Sequence, residues 1–313
     1  MERLLIHLND GISEGAQFAL IALGYSLVYG IIKLINFAHG EFTMVGAYAG
    51  FYSYVGLPAW LGLGTLGLHM LSPWLGLPAM VLTAGLAGAG ISVITERVAY
   101  RPLRRANRLI PLLTAIGVSF LLQNIFKFIN DGKSLSFAAN SPAGQLFQHT
   151  FTIGDMHIQT AKLAFVGITA VLMLALWYLV MRTRFGRAMR ATSQDLDAAR
   201  LMGINVDRVI MHTFAIGGFF AGITGILLGG LYQVSFNMGF MPGLIAFVAA
   251  VVGGIGSIPG AVLGGFLIGI LRNMVQFAGL PNAYRDIAIF ALLILVLVVR
   301  PQGLLGKPDT EKV

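Results

Sequence analysis

Long apolar runs alternate with short polar breaks along nearly the whole chain. Apolar residues fill 16–32, 42–55, 79–95, 109–129, 161–181, 209–232, 241–252, 261–278 and 287–299. Most of these runs match the roughly 20 residues a helix needs to cross a bilayer. Residues 58–77 are also apolar but broken by Gly and Pro, and read as a span, a re-entrant segment or a surface helix. The pattern predicts an all-α, polytopic integral membrane protein with about eight to ten spans. The polar stretch 1–10 and the apolar run after it, which lacks a clear small-residue cleavage site, predict a retained first helix, not a removed signal peptide.

Two places break the pattern inside apolar surroundings. One is the polar island Asn36-Phe37-Ala38-His39-Gly40-Glu41, and the other is the Gly/Pro-rich stretch 253–260 continuing to Gly264-Gly265. Irregular backbone at membrane depth is tolerated only where protein buries it or where it lines a cavity. The second stretch also reads as a tight turn plus close packing, because Gly260/Gly264 and Gly265/Gly269 have small-xxx-small spacing. For the island two readings stand side by side. In one, Tyr25, Tyr29, Asn36, His39 and Glu41 border a translocation route, since Tyr25 and Tyr29 lie one helical turn apart and lead to the break. In the other, His39 and Glu41 are a membrane-interface pair capping the following helix.

Composition strengthens the membrane reading. Of 313 residues 57% are hydrophobic and 11% charged, too few charges to cover a water-facing surface. The net charge of +8 is concentrated in two polar segments. Arg97, Arg101, Arg104, Arg105 and Arg108 lie in one, and Arg182, Arg184, Arg187, Arg190, Arg200 and Arg208 in the other. Clustered arginines between apolar runs mark cytoplasmic loops, and few aromatics are interleaved as a nucleic-acid surface would require. The loop 131–160, with Lys133 alone, then falls outside, and Lys307 and Lys312 fall inside. The N-terminus lies outside if 58–77 does not span.

Isolated polar residues within the runs invite partners. Gln123 and Asn124 suit hydrogen bonds between helices, and Arg272 beside Asn273 needs water or a partner. Glu96 next to Arg97 reads as an interfacial ion pair. Soluble-enzyme chemistry finds no support. Gly132-Lys133-Ser134 ends like a phosphate loop, but Lys127 stands where its first glycine is required, and no strand precedes it. The chain has no Cys and no His spacing for a metal, so no catalytic or metal site is expected.

The second basic loop, 182–208, carries the most specific signal. Ser193 suits an N-cap, Asp195 and Asp197 a first turn, and Gly203 a helix stop. They predict a surface helix over 194–202, about nine residues long and marginal alone in water, so it should dock against something. Asp197-Ala198-Ala199-x-x-x-Gly203 resembles the Glu-Ala-Ala-x-x-x-Gly loop of ABC-importer permeases, with Asp in place of Glu and without the downstream Ile…Pro. The motifs Gly24-Tyr25-Ser26-Leu27-Val28-Tyr29-Gly30, Asn36 to Glu41, Phe185-Gly186-Arg187-Ala188 and Gly256-Ser257-Ile258-Pro259-Gly260-Ala261 are similar, in order, to permeases of branched-chain amino-acid ABC importers, in particular the first of their two permeases.

That resemblance implies one permease domain over 1–313, in a bacterial inner membrane, passing small apolar amino acids inward. It implies that Asp197, Ala198, Ala199, Leu201 and Gly203 couple to an ATPase subunit. The expected partners are a second permease, two ATPases that bind the ATP, and a periplasmic binding protein; no cofactor is expected in this chain. Two alternatives remain: a self-contained secondary transporter or channel, which would not need the 194–202 helix, and an ABC permease for short amides or urea.

Overall fold

The computed structural model describes residues 2–56, 67, 73–104, 106–107, 109–153 and 156–306. Within them the apolar runs are helices, joined by three shorter helices in the polar segments: α1 (Glu2–Ile32), α2 (His39–Val55), α3 (Pro73–Thr95), α4 (Leu109–Ile129), α5 (Pro142–Gln148), α6 (Thr160–Arg182), α7 (Arg184–Gln194), α8 (Leu196–Leu201), α9 (Val206–Leu231), α10 (Phe240–Gly253), α11 (Ile258–Phe277) and α12 (Ala283–Val299). A π-helical turn, Glu96–Tyr100, and a 3-10 turn, Arg101–Leu103, follow α3. Strands β1 (Thr150–Ile153) and β2 (Met156–Gln159) form an antiparallel hairpin with Thr150 opposite Gln159.

Six of the described helices are long and apolar enough to cross a bilayer: Arg3–Ile32, Leu75–Leu103, Leu109–Ile129, Thr160–Arg182, Val206–Leu231 and Ile258–Phe277. Helices α2, α10 and α12 are shorter, at 17, 14 and 17 residues. The shortest, α10, reaches about 21 Å, less than the ~30 Å hydrocarbon core. It lies between the 232–239 connection and the 254–257 break, so the interruption read from the Gly/Pro-rich stretch is a real helix end. Most of the uncertain segment 58–77 lies outside the described residues, as do Arg105, Arg108, Lys307 and Lys312; its end, 73–77, opens α3.

The chain packs as two units. The first comprises Met1–Ile35, Val166–Thr213 and Leu244–Val313, the second Asn36–Phe165 and Phe214–Gly243. In the first, α1 and α11 run antiparallel with backbones in contact. A Cβ on Gly11 would stand 2.9 Å from Ile270 Cα, one on Gly15 2.7 Å from Phe266 Cα, and one on Gly265 2.5 Å from Ala19 N. Gly265 and Gly269 thus face α1, while Gly260 and Gly264 meet the end of α10 at Gly253 and Ala249. Only small residues allow such approach between helices. Gly254 and Gly256 adopt φ of 109° and 88°, values open chiefly to glycine, and Ser257 caps α11 by accepting from Gly260 N at 3.2 Å. The last carbonyls of α10 accept from the C-terminal segment: Leu304 N to Val252 O and Leu305 N to Gly253 O, both 2.9 Å. That segment closes a helix end that would otherwise leave buried acceptors unmet.

In the second unit, glycines again set the distance between helices. Gly46 of α2 and Gly88 of α3 both abut Gly222 of α9, and Gly225 abuts Thr43. Ser92 donates to Phe214 O at 2.8 Å, locking α3 to α9. Helix α2 also runs parallel to α4. The Glu41 carboxylate meets Ser119 and Gln123, Tyr48 stacks on Phe126 at 4.8 Å, and Tyr52 donates to Asn130.

Two segments carry more structure than their polarity suggested. The first helix begins ahead of the apolar run, because 2–10 of the polar stretch are already part of α1. Residues 131–160 are not an open loop. Phe137 packs on Phe51, Tyr54 and Phe147 with ring centroids 5.0, 5.8 and 5.7 Å apart. Leu135 and Val234 exchange two backbone hydrogen bonds of 2.8 Å, and Tyr54 Oη accepts from Ala143 N at 3.1 Å. Four aromatic rings supply the apolar area that orders this segment.

Candidate functional site

Local rules build the polar segment between α6 and α9. Thr183, extended at φ −91° and ψ 163°, caps α7 by accepting from Gly186 N at 3.0 Å. A Cβ on Gly186 would overlap the Val180 carbonyl, to which Arg190 also donates, so α7 folds back tightly on the end of α6. Phe185 meets the His212 ring edge-on at 5.8 Å, tying α7 to the start of α9. Helix α9 is capped in turn by Asn205, whose Oδ1 accepts from Arg208 N at 3.0 Å.

The predicted surface helix is present but shorter and differently capped. Ser193 lies in α7, its hydroxyl donating to Arg190 O at 2.8 Å. Asp195 is the cap, accepting from Asp197 N and Ala198 N at 3.0 Å each, and α8 spans six residues. Asp can cap as well as Ser, and the competition is decided by the extended backbone at Asp195, φ −157°. The stop is as expected: Gly203 has φ 80°, with Gly203 N on Arg200 O and Ile204 N on Ala199 O, both 3.0 Å, the paired bonds of a Schellman motif.

Of the residues expected to couple, Asp197, Ala198, Leu201 and Gly203 are exposed, and Ala199 is buried. Ala199 therefore holds α8 down and presents nothing outward. Asp197 pairs with Arg200 at 2.9 Å on the surface. Met202, which sequence reasoning passed over, joins Leu201 as an apolar knob, the two being 83% and 89% exposed. This surface follows directly from the Schellman turn, which swings the last residues of α8 away from the chain.

The polar island is enclosed. Asn36, His39 and Glu41 are 4%, 1% and 0% exposed. Asn36 Oδ1 accepts from Ala38 N at 3.0 Å and from Tyr100 Oη at 2.6 Å. His39 sets its ring edge against Phe42 at 5.5 Å. Glu41 Oε1 accepts from Ser119 at 2.9 Å and Gln123 at 2.8 Å. Gly40 touches Gly239, where a Cβ would stand 2.5 Å from the carbonyl oxygen, so the first turns of α2 and α10 meet backbone to backbone. Glu41 is thus not at a water-facing interface. Its partners sit 78 and 82 residues away on α4. The i, i+4 spacing of Ser119 and Gln123 was the signal for one shared face. Tyr25 is buried edge-on against Phe247 at 6.0 Å, and Tyr29 is partly exposed beneath the Lys33 ammonium at 5.7 Å; both belong to the first unit, while Asn36, His39 and Glu41 belong to the second.

The remaining polar residues sort as follows. Gln123 bridges helices, as expected, but Asn124 donates to Phe120 O of its own helix. Glu96 is buried and pairs with Arg104 eight residues on, which the π and 3-10 turns bring back over it. Arg272 finds Glu14 on α1 at 3.4 Å and the face of Phe18 at 5.6 Å; Asn273 donates to the same carboxylate at 2.7 Å, and Arg285 of α12 approaches it at 3.8 Å. Glu14 thus ties three helices together, a role that its place before the first apolar run did not reveal.

Long apolar helices with exposed apolar faces on α4 and α6, polar residues locked between helices, and a separately capped helix in the basic segment define a multi-pass integral membrane permease. The sequence matches the branched-chain amino acid transport system permease component family over residues 8–297, and the chain belongs to that family. It is 43% identical to the high-affinity branched-chain amino acid transport system permease protein BraD of Pseudomonas aeruginosa, over 99% of this chain and 98% of that protein. Identity is also 43% to LivH of Escherichia coli K12, of the same description, covering 97% and 96%. A probable branched-chain amino acid transport permease of Methanocaldococcus jannaschii is 25% identical over 96% and 91%. The chain is accordingly a component of a transport system.

Proposed function

We propose that this permease carries branched-chain and other small apolar amino acids inward across a bacterial inner membrane, driven by ATP that partner subunits hydrolyse. The partners are a second permease subunit, two ATPases and a periplasmic binding protein. The chain itself holds no cofactor and catalyses no reaction. One observation carries the reading: α8, a capped two-turn helix with exposed Leu201 and Met202, projecting from a basic segment. So short a helix is marginal in water unless its surroundings hold it. Here Ala199 anchors it from beneath, which leaves Asp197, Ala198, Leu201 and the Gly203 turn to enter a groove of the ATPase. ATP-driven closure of the ATPase pair then moves α8, and with it α7 and the ends of α6 and α9 to which it is joined.

Cells expressing the whole importer should accumulate labelled leucine or valine, and disabling the ATPase of that system should reduce uptake to background. Uptake of short amides or urea in place of leucine would overturn the substrate, and uptake indifferent to the ATPase would overturn the mechanism. Orientation has its own test, helped by the absence of native Cys. Arg104→Cys and Arg190→Cys should resist a membrane-impermeant thiol reagent in intact cells, and Gln145→Cys should react. Labelling of Arg190→Cys from outside would reverse the topology and remove α8 from reach of any ATPase.

A further inference from the structure

The outward side of α6 ends in positive charge. Val171, Leu174, Tyr178 and Met181 follow one another at three- and four-residue steps and are all exposed, so they form one stripe along the helix. Most of this span is left uncovered by the rest of the chain, and lipid is what meets it. Arg182, the last residue of α6, is exposed four residues after Tyr178 and continues the stripe. Trp177 and Tyr178, 44% and 62% exposed, therefore stand about one turn inside an arginine. Aromatic rings backed by a cation mark where a span passes from hydrocarbon to headgroups.

Helix α7 extends that charge. Its start is pinned to the last turn of α6: Thr183 donates to Leu179 O at 2.5 Å, Gly186 backs onto the Val180 carbonyl, and Arg190 donates to that carbonyl. Gly186, Met189 and Thr192 are buried, while Arg184 and Arg187, one turn apart, are exposed. Among the described residues none of Arg182, Arg184 and Arg187 has an acidic partner. Three like charges so close together repel one another unless anions lie between them.

We propose that Trp177, Tyr178, Arg182, Arg184 and Arg187 form a binding surface for anionic phospholipids of the leaflet on the basic side of the membrane. The two rings lie at the top of the acyl chains, and the guanidinium groups reach the phosphates, which they can hold by paired hydrogen bonds. Clustered arginines immediately beyond a span are the sequence form of such recognition. An acidic face of the ATPase is the competing occupant. Lipid is favoured because the arginines continue a stripe that already faces hydrocarbon. The surface offered by α8 is instead apolar, and its own charges, Asp197 and Arg200, are paired at 2.9 Å. Bound lipid holds α7 at headgroup level, and with it α8, which follows after the single residue Asp195.

The test places the whole importer in lipid nanodiscs with a trace of photoactivatable phosphatidylglycerol or phosphatidylcholine, the two carrying the same diazirine-bearing acyl chain. After illumination, mass spectrometry reads lipid attached to residues 171–187 of this chain. Phosphatidylglycerol should label them at least about fivefold more than phosphatidylcholine, the gain expected from even one arginine beside an anionic headgroup. Replacing all three arginines by Gln (Arg182→Gln, Arg184→Gln, Arg187→Gln) should level the two yields, and replacing them by Lys, which keeps the charge, should retain most of the difference. Raising the salt to about 1 M, where the Debye length falls to ~3 Å, should level the yields for the native protein, and this arm decides even where the Gln variant fails to assemble. Equal labelling of the native importer at low salt, or a preference that survives the Gln variant or high salt, would overturn the surface. A Gln variant that sheds the ATPase yet keeps its lipid preference would assign the arginines to the ATPase instead. Both leaflets of the disc contain the probe, and no solute is followed, so neither the orientation nor the transported substrate affects the outcome.

Discussion

Replacing Leu201 and Met202 together by aspartate should abolish uptake while leaving normal amounts of the permease in the membrane. Both side chains are more than four-fifths exposed and neither supports the fold, so the change costs the chain itself little. If they fill a groove of the ATPase, two charges must be desolvated there, and buried anchors of this kind carry about 2 kcal/mol or more each at protein interfaces. Loss of both predicts a fall of at least about a hundredfold in the association constant. Co-purification of the ATPase with tagged permease measures it directly, alongside uptake. Retained co-purification and uptake would remove α8 from the coupling role. Ala199→Arg makes a poorer test, because Ala199 is buried and the substitution would lift α8 from its seat before reaching any partner.

The second large effect concerns assembly of the helices. Gly46→Leu should prevent accumulation of folded protein. Its Cβ would penetrate the Gly222 backbone of α9, 2.7 Å from the carbonyl oxygen, and neither helix backbone can yield as a flexible side chain could. Overpacking typically costs about 1–3 kcal/mol where side chains can adjust, and backbone overlap costs more. Gly90→Ala and Gly117→Ala are the controls: nothing lies within 4 Å of a Cβ at either position, so both should express normally. Membrane yield and monodispersity after detergent extraction distinguish them. Equal yields for Gly46→Leu and Gly90→Ala would mean that the α2–α9 contact does not hold the second unit together.

The glycines show where sequence reading stops. All 40 argue for close packing in general, and the i, i+4 pairs at 260–269 named a packing face before any partner was known. Yet Gly264 and Gly265, adjacent in sequence, meet different helices, α10 and α1. In a helix neighbouring residues point about 100° apart, so one spacing rule covers two separate contacts. Likewise Ser193 reads as the cap and Asp195 as a first-turn residue, and the backbone bend between α7 and α8 made Asp195 the cap instead.

What the sequence determined by itself is whatever obeys a local rule or the demand of the solvent. Lipid leaves helices as the economical answer for apolar runs, so α4 appears at the residues the pattern marks. Gly203 ends α8 where the sequence marks the stop, through hydrogen bonds reaching no more than five residues. What only the tertiary structure decided is which polar group answers which. Glu14 with Asn273, 259 residues apart, and Glu41 with Gln123, 82 apart, carry no mark of each other along the chain. A helix records which of its faces is apolar, but in a lipid-facing protein nearly every face is. The packing of backbones at glycine then selects the neighbour, and the buried acids find their donors only once that packing is complete.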